Sequence, residues 1–132
     1  MDGHVEHARS GQAAVLGLEL GTGGVKALVT DFGGGPLGRG AAGYRVAVPG
    51  SGCAEIAPEE WWLATRSAVR DALAEAGRVH VTALAVAGPM HGVVLADECG
   101  APLRPAILGA DQRATAEAAM YAELPGESTA GL

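Results

Sequence analysis

Residue types suited to phosphate chemistry cluster near the start of the chain. Gly21-Thr22-Gly23-Gly24 lies between two apolar runs, Ala14-Val15-Leu16-Gly17-Leu18-Glu19-Leu20 and Val25-Lys26-Ala27-Leu28-Val29-Thr30-Asp31. Strand, turn and strand describe a hairpin whose tip offers bare backbone N–H groups and a hydroxyl. Such a tip can wrap around phosphate oxygens, because glycine lets the main chain come close and accepts positive φ. A Rossmann turn would need a following helix and a third glycine, but position 26 is lysine and the next segment reads as a strand. A Walker-type loop would need Gly-Lys-Ser/Thr ahead of a helix, which is also missing. Taken alone, the turn is either a phosphate cradle or an ordinary tight hairpin.

The other chemically capable groups have bland readings of their own. Gly88-Pro89-Met90-His91-Gly92 puts a thioether and an imidazole in one loop. By itself Met90 reads as core filler and His91 as a loop histidine with a backbone partner. Asp111 suits the start of a helix, and Arg113 suits pairing with a nearby acid. Glu19, on the strand before the turn, suits a solvated face or a paired charge. Trp61 and Trp62 read as packing residues, one of them on a buried helix stripe. His4, His7 and Cys53 carry no functional reading.

These groups need a frame, and the pattern of the chain supplies an α/β one. After the hairpin, Phe32-Gly33-Gly34-Gly35-Pro36 makes a second turn. The alternation of Tyr44-Arg45-Val46-Ala47-Val48 predicts a third antiparallel strand, broken by Pro49-Gly50-Ser51-Gly52. Pro58 opens a helix, with Glu59 and Glu60 in the first turn where the dipole favours negative charge. Trp62, Val69, Leu73 and Ala76 recur at helical spacing as its buried face, and Gly77 closes it. Val79 to Ala87 is a run of β-branched and small apolar residues that predicts a buried, central strand. Val93 to Ala96 is extended, Asp97-Glu98-Cys99-Gly100 turns, and Pro102 to Leu108 is a proline-interrupted edge segment. A last helix is expected from Arg113 to Glu123, ended by Pro125 and Gly126. The expected organisation is a flexible tail over 1–12, one folded domain over 13–124, and a second tail over 125–132.

Composition narrows the partners. The chain of 132 residues has room for one small domain. Apolar residues make up 48% of it but aromatics only 4%, so the core must be rich in Ala, Val and Leu. The 21 glycines point to many turns and close backbone approaches. A net charge of −6 without a basic stripe argues against nucleic acid. No segment approaches the roughly 20 apolar residues of a membrane span, and the N-terminus has no apolar stretch of signal-peptide length. Cys53 and Cys99 have no metal or redox spacing, which leaves free thiols and a cytoplasmic setting as the expectation.

The order of the pieces carries more than any one of them. Leu18 to Lys26, then Pro58-Glu59-Glu60-Trp61-Trp62, then Gly88-Pro89-Met90-His91-Gly92, then Leu103-Arg104-Pro105-Ala106-Ile107-Leu108-Gly109-Ala110-Asp111-Gln112-Arg113 resembles the opening of an FGGY-family carbohydrate kinase of the xylulokinase type. The resemblance implies a ribonuclease H-like mixed sheet with flanking helices, of the actin and sugar-kinase superfamily, present here only in part. It implies transfer of the γ-phosphoryl group of MgATP to a hydroxyl of a pentulose-like sugar. Thr22, Gly23 and Gly24 would line the terminal phosphates, with Lys26 beside them. Glu19 would stand at the Mg²⁺ carboxylate. Met90 and His91 match the Met-His pair at the sugar, and Asp111 and Arg113 match the Asp and Arg beside the same pocket. The resemblance places the catalytic base and most of the adenine surface beyond position 132, so none of the residues present is assigned as catalytic.

Departures from the family pattern favour a second reading. Glu19 stands for aspartate, Pro89 for glutamine, Gly109 for tryptophan, and Ala57 for the aspartate before the helix proline. The chain is thus read either as the N-terminal portion of a sugar kinase, inactive alone, or as a non-catalytic remnant or pseudokinase module with weak sugar or partner binding. In either case the Val79–Ala87 strand would leave a sheet face uncovered and open a route to self-association.

Overall fold

The computed structural model of the protein describes residues 11–123, which form two compact units. One is built from the segment up to Arg45 together with Glu59–Pro89, the other from Val46–Pro58 and the segment from Met90 onward. The expected tails lie outside the described residues, except that Gln12 already belongs to the first strand. The helix stop expected at Pro125 and Gly126 lies outside them too. No helix among the described residues is long and apolar enough to cross a membrane. Cys53 and Cys99 are free thiols.

The first unit is a four-stranded mixed sheet with one helix. Strands β1 (Gln12–Leu20), β2 (Gly24–Thr30) and β3 (Pro36–Gly43) run as an antiparallel meander. Helix α1 (Pro58–Ala76) then leads into β5 (Val79–Ala87), which lies parallel to β1, giving the order β3-β2-β1-β5. Strand β4 (Glu55–Ile56) belongs to the second unit. The hairpin forms where the glycine-rich turn predicts it, with Glu19 opposite Lys26 and Leu20 opposite Val25. In the second turn, Asp31 accepts the N–H of Gly35 at 2.8 Å, and Gly34 takes φ +84°. A register shift between β1 and β5 leaves Thr82 without a ladder partner, and its hydroxyl donates to the Ala14 carbonyl at 3.2 Å.

The core differs from the expectation in its residues. The face α1 buries is Ala64, Ala68 and Ala72, spaced one turn apart, while Val69, Leu73 and Ala76 flank it. Trp62 is 63% exposed and does not belong to the stripe; Trp61 is half-buried. The alanines win because β3 offers no side chain beneath them. A Cβ on Gly40 would lie 1.9 Å from the Ala68 carbonyl oxygen, and one on Gly38 would lie 2.2 Å from that of Ala72. The helix backbone therefore rests almost directly on the strand backbone, and a tryptophan has no room there. Val25, Ala27 and Val29 of β2, with Ala14 and Leu16 of β1, complete this core.

Two strand expectations fail. The third strand is Pro36–Gly43, not Tyr44–Val48, where only Ala47 makes a bridge, to Glu55. The 44–48 segment does not join the four-stranded sheet, because β3 has already taken the β2 edge, and its one bridge is to β4. Strand β5 is an edge strand rather than a central one, with Leu84 59% and Val86 62% exposed. Its continuous apolar run still records a strand suited to cover on both faces.

The second unit is held by short pairings. Strand β4 pairs antiparallel with β6 (Ala106–Ile107), and bridges Ala47–Glu55, Val93–Ile107 and Ala96–Pro102 widen the ladder. Asp97 closes its turn by accepting the N–H groups of Cys99 and Ala101. Helix α2 (Thr115–Ala122) starts later than expected, with Ala114 at its cap and no side chain bonded to the first turn.

The alanine-on-glycine contact makes an expected outcome concrete. Gly40→Ala should lower the urea unfolding free energy by about 1–3 kcal/mol or more, the usual cost of overpacking. Gly23→Ala, whose Cβ would meet nothing within 4 Å, should leave it nearly unchanged. Equal midpoints for the two variants would contradict this packing.

Candidate functional site

The hairpin tip is rigid where it meets the sheet and open at its apex. The Gly21 N–H donates to the Gly24 carbonyl at 2.8 Å, closing the turn. Tyr44 braces it twice: its N–H donates to the Gly23 carbonyl at 3.1 Å, and its hydroxyl donates to the Gly21 carbonyl. Among the described residues, nothing accepts the N–H groups of Thr22 or Gly23. None of the tip glycines adopts the left-handed φ that the sequence suggested. Their reasons are different ones. A Cβ on Gly24 would lie 2.7 Å from the Ala42 carbonyl oxygen, so the neighbouring strand demands glycine there. Gly23 faces open space, so its backbone is free to be approached closely.

Below the tip, the ladder sets Glu19 against Lys26, and the ammonium lies 3.2 Å from Oε2 of the carboxylate. Both side chains are exposed, so the pair adds little stability and either partner can turn to an incoming ligand. Glu19 also sits beside Ala87 in the parallel register, at the carboxyl ends of β1 and β5. Open α/β sheets bind ligands at that end of their parallel strands. No cluster of three or more His, Cys, Asp or Glu side chains suited to a metal occurs among the described residues. A single carboxylate holds Mg²⁺ well only when phosphate oxygens share the ion.

The second unit gathers the other predicted residues. Met90 is 76% exposed, and His91 takes φ +61°, a left-handed value rare for a side chain of its size. The two cover Gly109 closely: a Cβ there would lie 2.9 Å from the Met90 carbonyl oxygen and 3.3 Å from the His91 Cβ. Asp111 is a tie between segments rather than a helix cap. Its side chain is only 2% exposed, and Oδ2 accepts the Ala54 N–H at 2.6 Å. Oδ1 accepts the Arg113 N–H at 3.0 Å and its Nε–H at 2.8 Å, and Arg113 Nη2 donates to Oδ2 at 2.7 Å. Arg113 Nη1 also lies 2.7 Å from Glu55 Oε1, which Arg104 contacts as well.

These contacts polarise the pair. The Arg113 guanidinium holds the Asp111 carboxyl well below the usual carboxylate range; loss of water at the side chain opposes this, and the Ala54 and Arg113 amides add to it. Reciprocally, Asp111 and then Glu55 push the Arg113 guanidinium above its already high value. Glu55 goes unread in the sequence, and Arg104 enters only within the proline-interrupted edge segment and its motif. The usable signal is an acid set between apolar Ala54 and Ile56.

Residues 14–129 match the model of the N-terminal domain of the FGGY family of carbohydrate kinases. The chain belongs to this family. The xylulose kinase of Staphylococcus xylosus is 37% identical over 105 residues, 80% of this chain and 22% of that enzyme. The xylulose kinase of Klebsiella pneumoniae is 39% identical over 102 residues, 77% of this chain and 21% of that enzyme. The crystal structure of the Rhodospirillum rubrum xylulose kinase superposes with a TM-score of 0.79 at 30% identity, covering 85% of this chain and 24% of that one. A Plasmodium falciparum glycerol kinase shares the fold alone, at 15% identity and a TM-score of 0.73. The FGGY fold, a mixed sheet with flanking helices of the sugar-kinase type, is present here as a fragment that spans under a quarter of these relatives. The hairpin tip and the Met-His loop both lie inside the stretch that matches the FGGY domain.

The low-lying Asp111 carboxyl ties this unit to pH. Because its folded value is depressed, the stability it lends is fully present above the unfolded value of about 3.9 and is lost as pH falls toward the folded value. Asp111→Asn should therefore weaken amide protection at Ala54 and Arg113 near neutral pH. The gap from wild type should narrow as pH drops from about 5 to about 3. A gap independent of pH would contradict the assignment.

Proposed function

We propose that the chain supplies the phosphate-gripping and sugar-holding loops of an ATP-dependent phosphotransferase acting on a pentulose-like sugar such as xylulose. The observation that carries this is the hairpin apex, where the Thr22 and Gly23 N–H groups have no acceptor among the described residues and Gly23 faces open space. That arrangement is a ready anion cradle. Thr22, Gly23 and Gly24 hold the terminal phosphates, and Lys26 neutralises their charge. Glu19 takes one position on a phosphate-bound Mg²⁺. Met90 and His91 hold the sugar, and Asp111 and Arg113 stand beside them. When bound, MgATP supplies the transferable γ-phosphoryl group, and the chain's own part is positioning and charge neutralisation.

The reading assigns no general base to this chain, so the chain by itself transfers no phosphoryl group. The non-catalytic alternative draws on the departures at Glu19, Pro89 and Gly109. Self-association is open to either reading: the uncovered face of β5, with Leu84 and Val86 exposed, is a surface on which a second copy can pack.

Two measurements decide between the readings. MgATP added to the whole chain should shift the Thr22 and Gly23 amide resonances and leave those of α2 in place; unmoved tip amides would sink the phosphate role. With D-xylulose also present, ADP release should stay at background, and Glu19→Asp with Gly109→Trp should not rescue it. Sugar-dependent turnover by the chain alone would overturn the assignment of the base elsewhere.

A further inference from the structure

A carboxylate taken out of water calls for cationic or hydrogen-bonding partners. Glu55 has two of them on one oxygen. It is 9% exposed, between Ala54 and Ile56, and its Oε1 is shared by the Arg104 and Arg113 guanidiniums. Its backbone is engaged too, with the Ala47 N–H donating to the Glu55 carbonyl at 2.7 Å and the Glu55 N–H returning at 2.9 Å. Across the ladder Glu55 stands opposite Ile107, and Ile107 exchanges both hydrogen bonds with Val93, at 2.8 and 2.9 Å. Val93 lies two residues after His91, and Gly109, which the Met90–His91 backbone covers, lies two residues after Ile107. One row of the ladder thus runs from the buried carboxylate to Val93, two residues beyond the Met-His pair.

Within this cluster, Asp111 and Arg113 are spent on each other and on Glu55. Arg113 spends Nε, Nη1 and Nη2 on carboxylates, and both Asp111 oxygens are committed on a side chain 2% exposed. Little remains on either residue to grip a sugar hydroxyl, whereas Met90 is open. The left-handed φ of His91 points the same way, since such a conformation persists only where the surroundings over-determine it.

We propose that Glu55 is a positioning residue for the Met90–His91 loop, acting through Arg104 and Arg113 and along the Glu55–Ile107–Val93 row, and that Asp111 and Arg113 serve this latch rather than contact the sugar. The idea rests on the sugar-loop reading above for its functional meaning, though not for its structural test.

The test uses the whole 132-residue chain as wild type, Glu55→Gln, Glu55→Asp and Arg104→Gln. The Met90 methyl and His91 ring resonances are recorded, with amide exchange at Val93 and Ile107 referenced to Val29 in the other unit. Without sugar, Glu55→Gln should displace both resonances and speed exchange at Val93 and Ile107 about tenfold, the scale of one lost charge-assisted hydrogen bond. Glu55→Asp, which keeps the charge, should recover part of the wild-type spectrum. Arg104→Gln should move the same signals in the same direction, and it decides the matter if Glu55→Gln fails to fold. With D-xylulose as the probe, the response of the Met90 methyl should weaken about tenfold in Glu55→Gln. Unmoved Met90 and His91 signals in the sugar-free variants would overturn the proposal. So would loss of the D-xylulose response with those signals unmoved, because that marks direct contact. A wild-type chain whose loop ignores D-xylulose sinks the sugar assignment instead, and the sugar-free comparison still rules on Glu55.

Discussion

The sheet unit depends on one contact, the backbone of α1 lying on the backbone of β3 at Gly38 and Gly40. With carbonyl oxygens of Ala68 and Ala72 only 1.9–2.2 Å from where a Cβ would be, no other residue type fits without moving the helix. The contact explains a core almost without aromatics. Small residues bury little apolar area each, so close approach and dispersion must do what large side chains do elsewhere. It also fixes the hairpin, because β3 pairs with β2 along its length and Tyr44, just beyond β3, bonds to both Gly21 and Gly23. The position of the hairpin tip is thereby set by a helix whose own residues never reach it.

The sequence made the hairpin legible because its signals are local: apolar runs, a glycine turn and matched lengths. The α1 boundaries were legible for the same reason, Pro58 at the start and Gly77, at φ +72°, at the end. What was not legible depends on partners distant in sequence. Hydrophobicity ranked Trp62 above Ala68, but the strand beneath has glycine at 38 and 40, and the helix turned its alanines inward. The Tyr44–Val48 pattern had strand character, but β3 held the β2 edge and only Ala47 found a bridge, to Glu55. The β5 run was read correctly as a strand and wrongly as central, since an apolar pattern reports suitability for cover and not the cover itself.

The candidate site divides the same way. Motif order located Thr22, Gly23, Gly24, Lys26, Met90, His91, Asp111 and Arg113 in the chain, and position along a motif is what such matching transmits. The work each side chain does is a property of its neighbours. Asp111 and Arg113 face each other and Glu55, a residue that no motif reading singled out, because its importance comes from two arginines found 49 and 58 positions later. A buried acid flanked by Ala54 and Ile56 is a physical anomaly before it is a motif, and anomalies of that kind direct attention to what must neutralise them.

Gly109 shows why a single replaced residue can carry more than its own side chain. The family resemblance puts tryptophan there, and the missing ring reads at first as one lost wall of a sugar pocket. In the structure, a Cβ built on the glycine would meet the Met90 carbonyl oxygen and the His91 Cβ, and His91 holds a left-handed φ. Any Cβ at this position, let alone an indole, would meet that carbonyl at 2.9 Å, so the loop and the residue must change together. Glycine at 109 and the left-handed His91 are therefore one structural state, held in place by the ladder that begins at Glu55. Restoring the ring alone would push against that ladder, and the pocket's shape follows from the loop's position more than from the presence or absence of one aromatic side chain.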